Sequence, residues 1–292
     1  MRVLIIGCGY VGHCLGDELV GLGHEVFGLR RSPADWPGGI RPLIADVTDP
    51  ESLRRVPLLP FDWVVNTVSS SKGGTEDYRR VYLRGTENVI RWLSPSPPGK
   101  YVHTSSTGVY AQDDGSAVSE ASPAEGATDA GRVLVATEKR LVDAVNTGGF
   151  PAVILRVAGI YGPERGHLFR QYLRGEAVIA GCGDRWINMV HRDDVAGCIV
   201  AALDKGRAGE IYNAVDDEPV TQIDFFRWLS ETLGRDMPPF GAAGPAGGKR
   251  GAASKRVANR KIKAELDYRF RHPTFREGYS AEIRRLRDGG LL

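Results

Sequence analysis

Short apolar runs alternate with longer amphipathic stretches along most of the chain, beginning at Val3-Leu4-Ile5-Ile6. An apolar, largely β-branched run of this length is too short for a helix and predicts a strand buried on both faces. It passes into Gly7-Cys8-Gly9-Tyr10-Val11-Gly12, after which a helix is predicted from about Tyr10 to Leu22 and a second strand from His24 to Leu29. Further strands are expected at Arg41 to Ala45, Trp63 to Val68, Lys100 to Ser105 and Ala152 to Val157. Helical periodicity covers about Asp49 to Val56, Glu76 to Leu93 and Gly131 to Val145, with Pro95, Pro97 and Pro98 stopping the middle one. Strands alternating with helices predict a parallel α/β sheet.

The glycine spacing adds chemistry to this pattern. In a strand-to-helix turn Gly7 lets the chain reverse sharply, Gly9 lets the backbone approach a diphosphate, and Gly12 lets the helix pack against the strand. The amides at the helix start, around Tyr10 and Val11, then face the phosphates. Where an NAD-binding sheet carries an acidic residue at the end of its second strand, this chain has Arg30-Arg31-Ser32. A carboxylate repels a ribose 2′-phosphate, whereas guanidinium groups bind it. NADP(H) is therefore favoured over NAD(H), the plainer alternative being two exposed arginines at a strand end. Asp46 is either a contact to adenine or a helix N-cap. Val68, Ser69 and the small polar residues after them suit a segment passing under a dinucleotide.

Composition narrows the function classes. The 292 residues are 42% hydrophobic and 25% charged, as in an ordinary globular protein. The 38 basic and 36 acidic side chains give a net charge of +2, which calls for neither nucleic acid nor a membrane partner. Cys8, Cys14, Cys182 and Cys198 show no CxxC spacing, so no metal site or disulfide framework is expected and a reducing cytoplasm fits. No apolar stretch approaches the roughly 20 residues needed to span a bilayer.

Four motifs then occur in order: GCGYVG, SSTGVY at Ser105 to Tyr110, LRVAGIYGP at Leu155 to Pro163, and NMVHRDDVA at Asn188 to Ala196. Together they resemble the extended short-chain dehydrogenase/reductase superfamily, in its sugar-nucleotide epimerase and dehydratase group. GEIYNAVDDEPVT at Gly209 to Thr221 matches a later family strand, followed by a helix to about Leu233. The tail, with Lys255 to Asn259 and PTFREGY at Pro273 to Tyr279, is similar to the YeeZ-like branch of atypical members. The resemblance implies a doubly wound Rossmann parallel sheet in residues 1–160, completed by parts of 187–215, with a small C-terminal α/β substrate cap in 161–292. It implies an NAD(P)-dependent reductase, epimerase or dehydratase acting on a carbonyl or hydroxyl of a small, sugar or nucleotide-sugar substrate. It leaves a homodimer open.

The family's Tyr-x-x-x-Lys proton machinery is missing. Anchored on Glu138, the lysine position is Leu134 and the tyrosine position is Ala130, and no such pair occurs between Gln112 and Asn146. Ser106 occupies the family's active-site Ser/Thr position and is the catalytic candidate, although an unassisted hydroxyl does not ionise near neutral pH. His191 titrates in a useful range and is the other proton-carrying candidate, with a satisfied core histidine as the alternative. Counting eight back from Val195, the family's diphosphate-binding arginine becomes Ile187, and Arg185 is the nearby substitute. Lys249, Arg250, Lys255, Arg256, Arg260, Lys261 and Lys263 form a basic stretch that reads first as a solvated loop and second as an attractor of phosphate or carboxylate. It lacks the interleaved aromatics that RNA stacking needs. The lost pair also supports a rival reading, a dinucleotide-binding module that acts as a redox sensor or assembly partner without chemistry.

Overall fold

The structure, a computed structural model, describes every residue except 34, 35, 37, 58 and 243–252. The chain begins with β1 (Arg2–Ile6), α1 (Tyr10–Gly21), β2 (Glu25–Arg30), β3 (Ile40–Ile44), α2 (Pro50–Arg54) and β4 (Trp63–Asn66). A continuous helical segment follows: α3 (Thr75–Tyr78), a π-helical stretch over Arg79–Arg84, and α4 (Gly85–Leu93). Next come β5 (Lys100–Ser106), β6 (Ala117–Val118), α5 (Asp129–Gly148), β7 (Ala152–Val157), β8 (Gly159–Tyr161) and α6 (His167–Leu173). Then follow β9 (Ile179–Ala180), β10 (Trp186–Ile187), β11 (Met189–His191), α7 (Arg192–Lys205), β12 (Ile211–Ala214), β13 (Val220–Thr221) and α8 (Gln222–Leu233). The chain finishes with β14 (Phe240–Gly241), β15 (Arg256–Val257), α9 (Arg260–Leu266) and α10 (Phe275–Asp288).

Seven parallel strands form the central sheet in the order β12-β7-β5-β4-β1-β2-β3. The direction of winding reverses between β1 and β4, the place where open α/β sheets bind ligands. Alternation along the strands explains the two layers. Val3 and Ile5 join Leu15 and Leu19 of α1, residues of α7, and Ile262 and Leu266 of α9 on one face. Leu4 and Ile6 face the other way, with Leu53, Val89, Leu93 and Leu141. Each such side chain contributes about 1.5–3 kcal/mol when fully buried. A third apolar cluster, between Tyr161 and Ile283, joins α6, α8 and α10.

Several element ends differ from the sequence expectation for local reasons. The fourth strand stops at Asn66 because its Oδ1 takes the Val68 amide at 3.2 Å, turning the chain out of the sheet. The helix expected from Gly131 starts at Asp129, since the Thr128 hydroxyl accepts the Gly131 amide at 3.0 Å. Of the span expected to complete the sheet, β12 does so, whereas β11 pairs with β8 in a separate two-stranded sheet. The helix expected across Glu76 to Leu93 contains the π-helical stretch, and beside it the rings of Tyr78 and Tyr82 lie 5.0 Å apart. No helix among the described residues is long and apolar enough to cross a membrane.

Candidate active site

A cleft of about 910 Å³ opens at the carboxyl ends of β1, β4, β5 and β7. Its lining includes the glycine turn. Gly7 has φ +79, and an added Cβ would stand 2.6 Å from the Val68 amide nitrogen, so glycine alone fits there. Gly12 packs against Ile5, while the nearest atom to a Cβ at Gly9 would be 3.7 Å away, which leaves the surface over Gly9 open. Gly9 caps α1 without any side-chain hydrogen bond, so the first amides of the helix remain available to an anion. These features fit a bound diphosphate.

The expected cofactor residues separate into two groups. Gly7, Gly9, Tyr10, Val11, Val68 and Ser69 line the cleft, whereas Gly12 is buried behind it, and Arg30, Arg31 and Asp46 lie outside its lining. The Tyr10 hydroxyl donates to the Pro163 carbonyl at 2.9 Å, and the Arg165 and Arg192 guanidiniums stand 5.0 and 5.2 Å from its ring centroid. Arg30 lies 3.4 Å from His13 Nε2 and 5.9 Å from the Trp36 ring centroid, and Arg31 donates to Ser71 Oγ at 3.4 Å in the loop after β4. The N-cap alternative for Asp46 is corrected. Asp49 accepts the Glu51 amide and caps α2, while Asp46 closes a local turn by accepting the Thr48 amide at 2.8 Å.

Ser106 terminates β5 and accepts the Gly108 amide at 3.1 Å. Ala130 and Leu134, one helical turn apart on α5, line the same cleft. Beneath them runs a buried polar chain. Ser105 Oγ donates to Glu138 at 2.6 Å, Arg156 pairs with Glu138 at 2.7 Å and donates to the Tyr110 hydroxyl at 3.0 Å, and Tyr110 donates to Asn213 at 2.8 Å. Tyr161, which also lines the cleft, stacks on Tyr279 with centroids 4.4 Å apart.

His191 does not line the cleft. Its Nδ1 accepts the Asp193 amide at 3.2 Å, capping α7, and its ring lies 3.8 Å from that of His272. Burial, then the neighbouring His272, pushes its pKa down to about 4. A neutral helix cap shut in the core is the satisfied-histidine alternative. His191, Asp194 and His272 stand close enough to suggest a metal. Asp194 instead receives four donors: the Tyr268 hydroxyl at 2.8 Å, the Arg271 amide at 2.6 Å, and the His272 amide and ring at 2.9 and 3.0 Å. Its carboxylate is filled by the fold itself.

The described part of the basic stretch is β15 and α9 rather than a loop, with Arg256, Arg260 and Lys263 exposed to solvent and Lys255 buried. Arg256 donates to the Gly115 carbonyl at 2.9 Å, Lys261 pairs with Glu210 at 2.6 Å and Lys263 with Asp217 at 3.0 Å. Lys249 and Arg250 lie outside the described residues. Of this stretch Lys255 lines the cleft, joining Arg185 and three residues that sequence reasoning missed: Arg165, Arg170 and Arg174. The spacing of Arg170 and Arg174 was their visible signal, because residues four apart share a helix face. No carboxylate is among the described lining residues.

Comparison with known proteins agrees with this geometry. Protein YeeZ of Escherichia coli (strain K12) is 28% identical over 283 residues, covering 93% of this chain and 96% of YeeZ. The dTDP-6-deoxy-L-talose 4-dehydrogenase (NAD(P)(+)) of Kitasatospora kifunensis is 25% identical over 240 residues, covering 80% of this chain and 67% of that enzyme. DesIV of Streptomyces venezuelae, a dTDP-glucose 4,6-dehydratase solved with NAD bound, superposes with a TM-score of 0.85 at 23% identity, covering 99% and 97% of the two chains. The sequence model of the NAD dependent epimerase/dehydratase family matches residues 3–214. The chain belongs to that family, as an extended, atypical short-chain dehydrogenase/reductase with a seven-stranded Rossmann sheet.

Proposed function

We propose that this protein is an NAD(P)-dependent redox enzyme acting on a carbonyl or hydroxyl of a sugar-like or nucleotide-sugar substrate presented beside Ser106. The observation that carries this reading is that one cleft is lined both by the glycine turn and by Ser106. Gly7, Gly9, Tyr10 and Val11 would hold the diphosphate, with Val68 and Ser69 along the dinucleotide. Once bound, the nicotinamide gives or accepts hydride. Ser106 orients the reacting oxygen. Arg170, Arg174 and Arg185, with Arg165 beside Tyr10, make the cleft suited to an anionic substrate, in keeping with the dTDP-sugar named for the Kitasatospora relative. The four free thiols suit a reducing cytoplasm.

Fluorescence titration with NADPH and NADH, followed by turnover against aldehydes, ketones and nucleotide sugars, tests this directly. Ser106→Ala is expected to lower kcat about tenfold, the worth of one hydrogen bond made in the transition state. An unchanged rate would remove Ser106 from the reaction. We further assign the 2′-phosphate of NADPH to Arg30 and Arg31, the cations at the end of β2. Replacing both by alanine is expected to weaken NADPH about 10²- to 10⁴-fold while sparing NADH, at about 1.5–3 kcal/mol for each of two charge-assisted bonds. Equal losses for the two dinucleotides would show that neither arginine reads the 2′ position.

Ala130 and Leu134 in the cleft wall favour a second reading, a nicotinamide-binding module without chemistry. Binding of either dinucleotide with no turnover of any substrate selects it.

A further inference from the structure

We propose that Lys255 replaces the missing proton carrier, reaching the reacting oxygen from the carboxyl-terminal tail instead of from α5. The proposal rests on the redox reading above and names a residue for its proton step.

The tail segment is firmly placed across the cleft. Ser254 accepts the Trp186 amide at 3.1 Å through its hydroxyl and the Gly115 amide at 2.7 Å through its carbonyl. Asn188 brackets the next residues, donating to the Lys255 carbonyl at 2.8 Å and accepting the Val257 amide at 2.8 Å. Lys255 is 6% exposed and lines the same cleft as Ser106, Ala130 and Leu134. Its Nζ donates to the Tyr110 carbonyl at 3.0 Å, one bond for a group with three donors, and among the described residues it has no carboxylate partner. Burying an unpaired cation is unfavourable, so a neutral amine competes with the ammonium.

The surrounding charges do not restore the balance. Glu138 is taken by Arg156, Glu120 by the Asn213 amide, the Tyr110 phenol by Arg156 and Asn213, and Arg256 by the Gly115 carbonyl. Arg185 is the charged neighbour whose field reaches Lys255. Burial, then Arg185, lowers the Lys255 pKa to about 8. A group titrating there both holds and releases a proton near neutral pH.

In the reducing direction the Lys255 ammonium gives a proton to the carbonyl oxygen as hydride from the reduced nicotinamide reaches the carbonyl carbon. The C=O π bond breaks, C–H and O–H bonds form, the nicotinamide is oxidised, and the neutral amine regains its proton from water. In the oxidising direction the neutral amine removes the hydroxyl proton as hydride passes from the carbon to the oxidised nicotinamide, so that the O–H and C–H bonds break and the C=O π bond forms. The reduction rate therefore falls as pH rises through about 8, and the oxidation rate falls as pH drops through it.

The test has one arm free of activity. The Lys255 Cε–Hε NMR signal, assigned by its loss in Lys255→Met, is expected to titrate near pH 8, against about 10.4 for an ordinary lysine. In the second arm Lys255→Met is expected to lower kcat about 10²- to 10⁴-fold, to keep NADPH affinity, and to lose the pH limb near 8. Should that variant fail to fold, Lys255→Arg keeps the bond to the Tyr110 carbonyl but releases no proton, and the same loss of rate is expected. A midpoint above about 10 in an active enzyme, or a rise in KM alone with the pH limb intact, overturns the assignment and leaves the redox reading standing. Dinucleotide binding without any turnover by the unaltered protein removes the redox reading and this assignment together.

Discussion

Replacing Arg156 by methionine is expected to lower the unfolding free energy by about 3–5 kcal/mol, the effect of leaving a buried charge without its partner. Arg156 and Glu138 are each 4% exposed, and the guanidinium spans both carboxylate oxygens, with Nη2 to Oε2 at 2.7 Å and Nε to Oε1 at 3.2 Å. Removing the cation strands the carboxylate, whose remaining support is the Ser105 hydroxyl. It also takes a donor from Tyr110. A double variant, Arg156→Met with Glu138→Leu, is expected to recover much of the loss, because two apolar groups of similar size pay no desolvation penalty. Urea unfolding of the wild type, single and double variants checks both statements. A single variant within about 1 kcal/mol of wild type would show that the pair is not held as described.

The protein is also expected to lose stability in mild acid through His103. This side chain sits within β5 between Asn66 of β4 and Ile154 of β7, is 1% exposed, and has no hydrogen-bond partner for either ring nitrogen among the described residues. Burial pushes its pKa down to about 4. An unfolded histidine titrates near 6.5, so between about pH 6.5 and 4 the unfolded chain binds a proton that the folded chain refuses. Stability from this residue is level above about 6.5 and is lost as pH falls toward 4, by about 3 kcal/mol in all. Denaturation midpoints at pH 5 and 7.5 read the effect, and His103→Phe should flatten the acid limb. An acid limb of the same slope in that variant would assign the sensitivity elsewhere, first to His191, which burial also holds near 4.

The cofactor half was legible because its information is local. Strand, glycine turn and helix follow one another within Arg2–Gly21, and Ser106 stands at the end of its strand as the spacing implied. Ambiguity arose where neighbours compete for one role. Asp46 and Asp49 both suit a helix start, and only the hydrogen bonds assign the cap to Asp49. The basic side of the cleft was hidden for a different reason. Lys255 lies in a basic run that reads as solvated, and its burial depends on a bond to Tyr110 across 145 positions of sequence. His191 was visible as a titratable group, yet its neutrality depends on burial and on His272, contributed by the tail. The π-helical stretch after Tyr78 covers only the six residues Arg79–Arg84 inside one helical segment, too short a run for the apolar pattern to mark it.

The family match ends at residue 214, while Ala253, Lys255 and Tyr279 help to enclose the cleft. The strap that carries Lys255 is fastened by β15 to β6 and by Asn188. Swapping this terminal portion between relatives is therefore a way to exchange one wall of the cleft while keeping the sequence of the glycine turn, provided Arg271 keeps its pairing with Glu18 of α1.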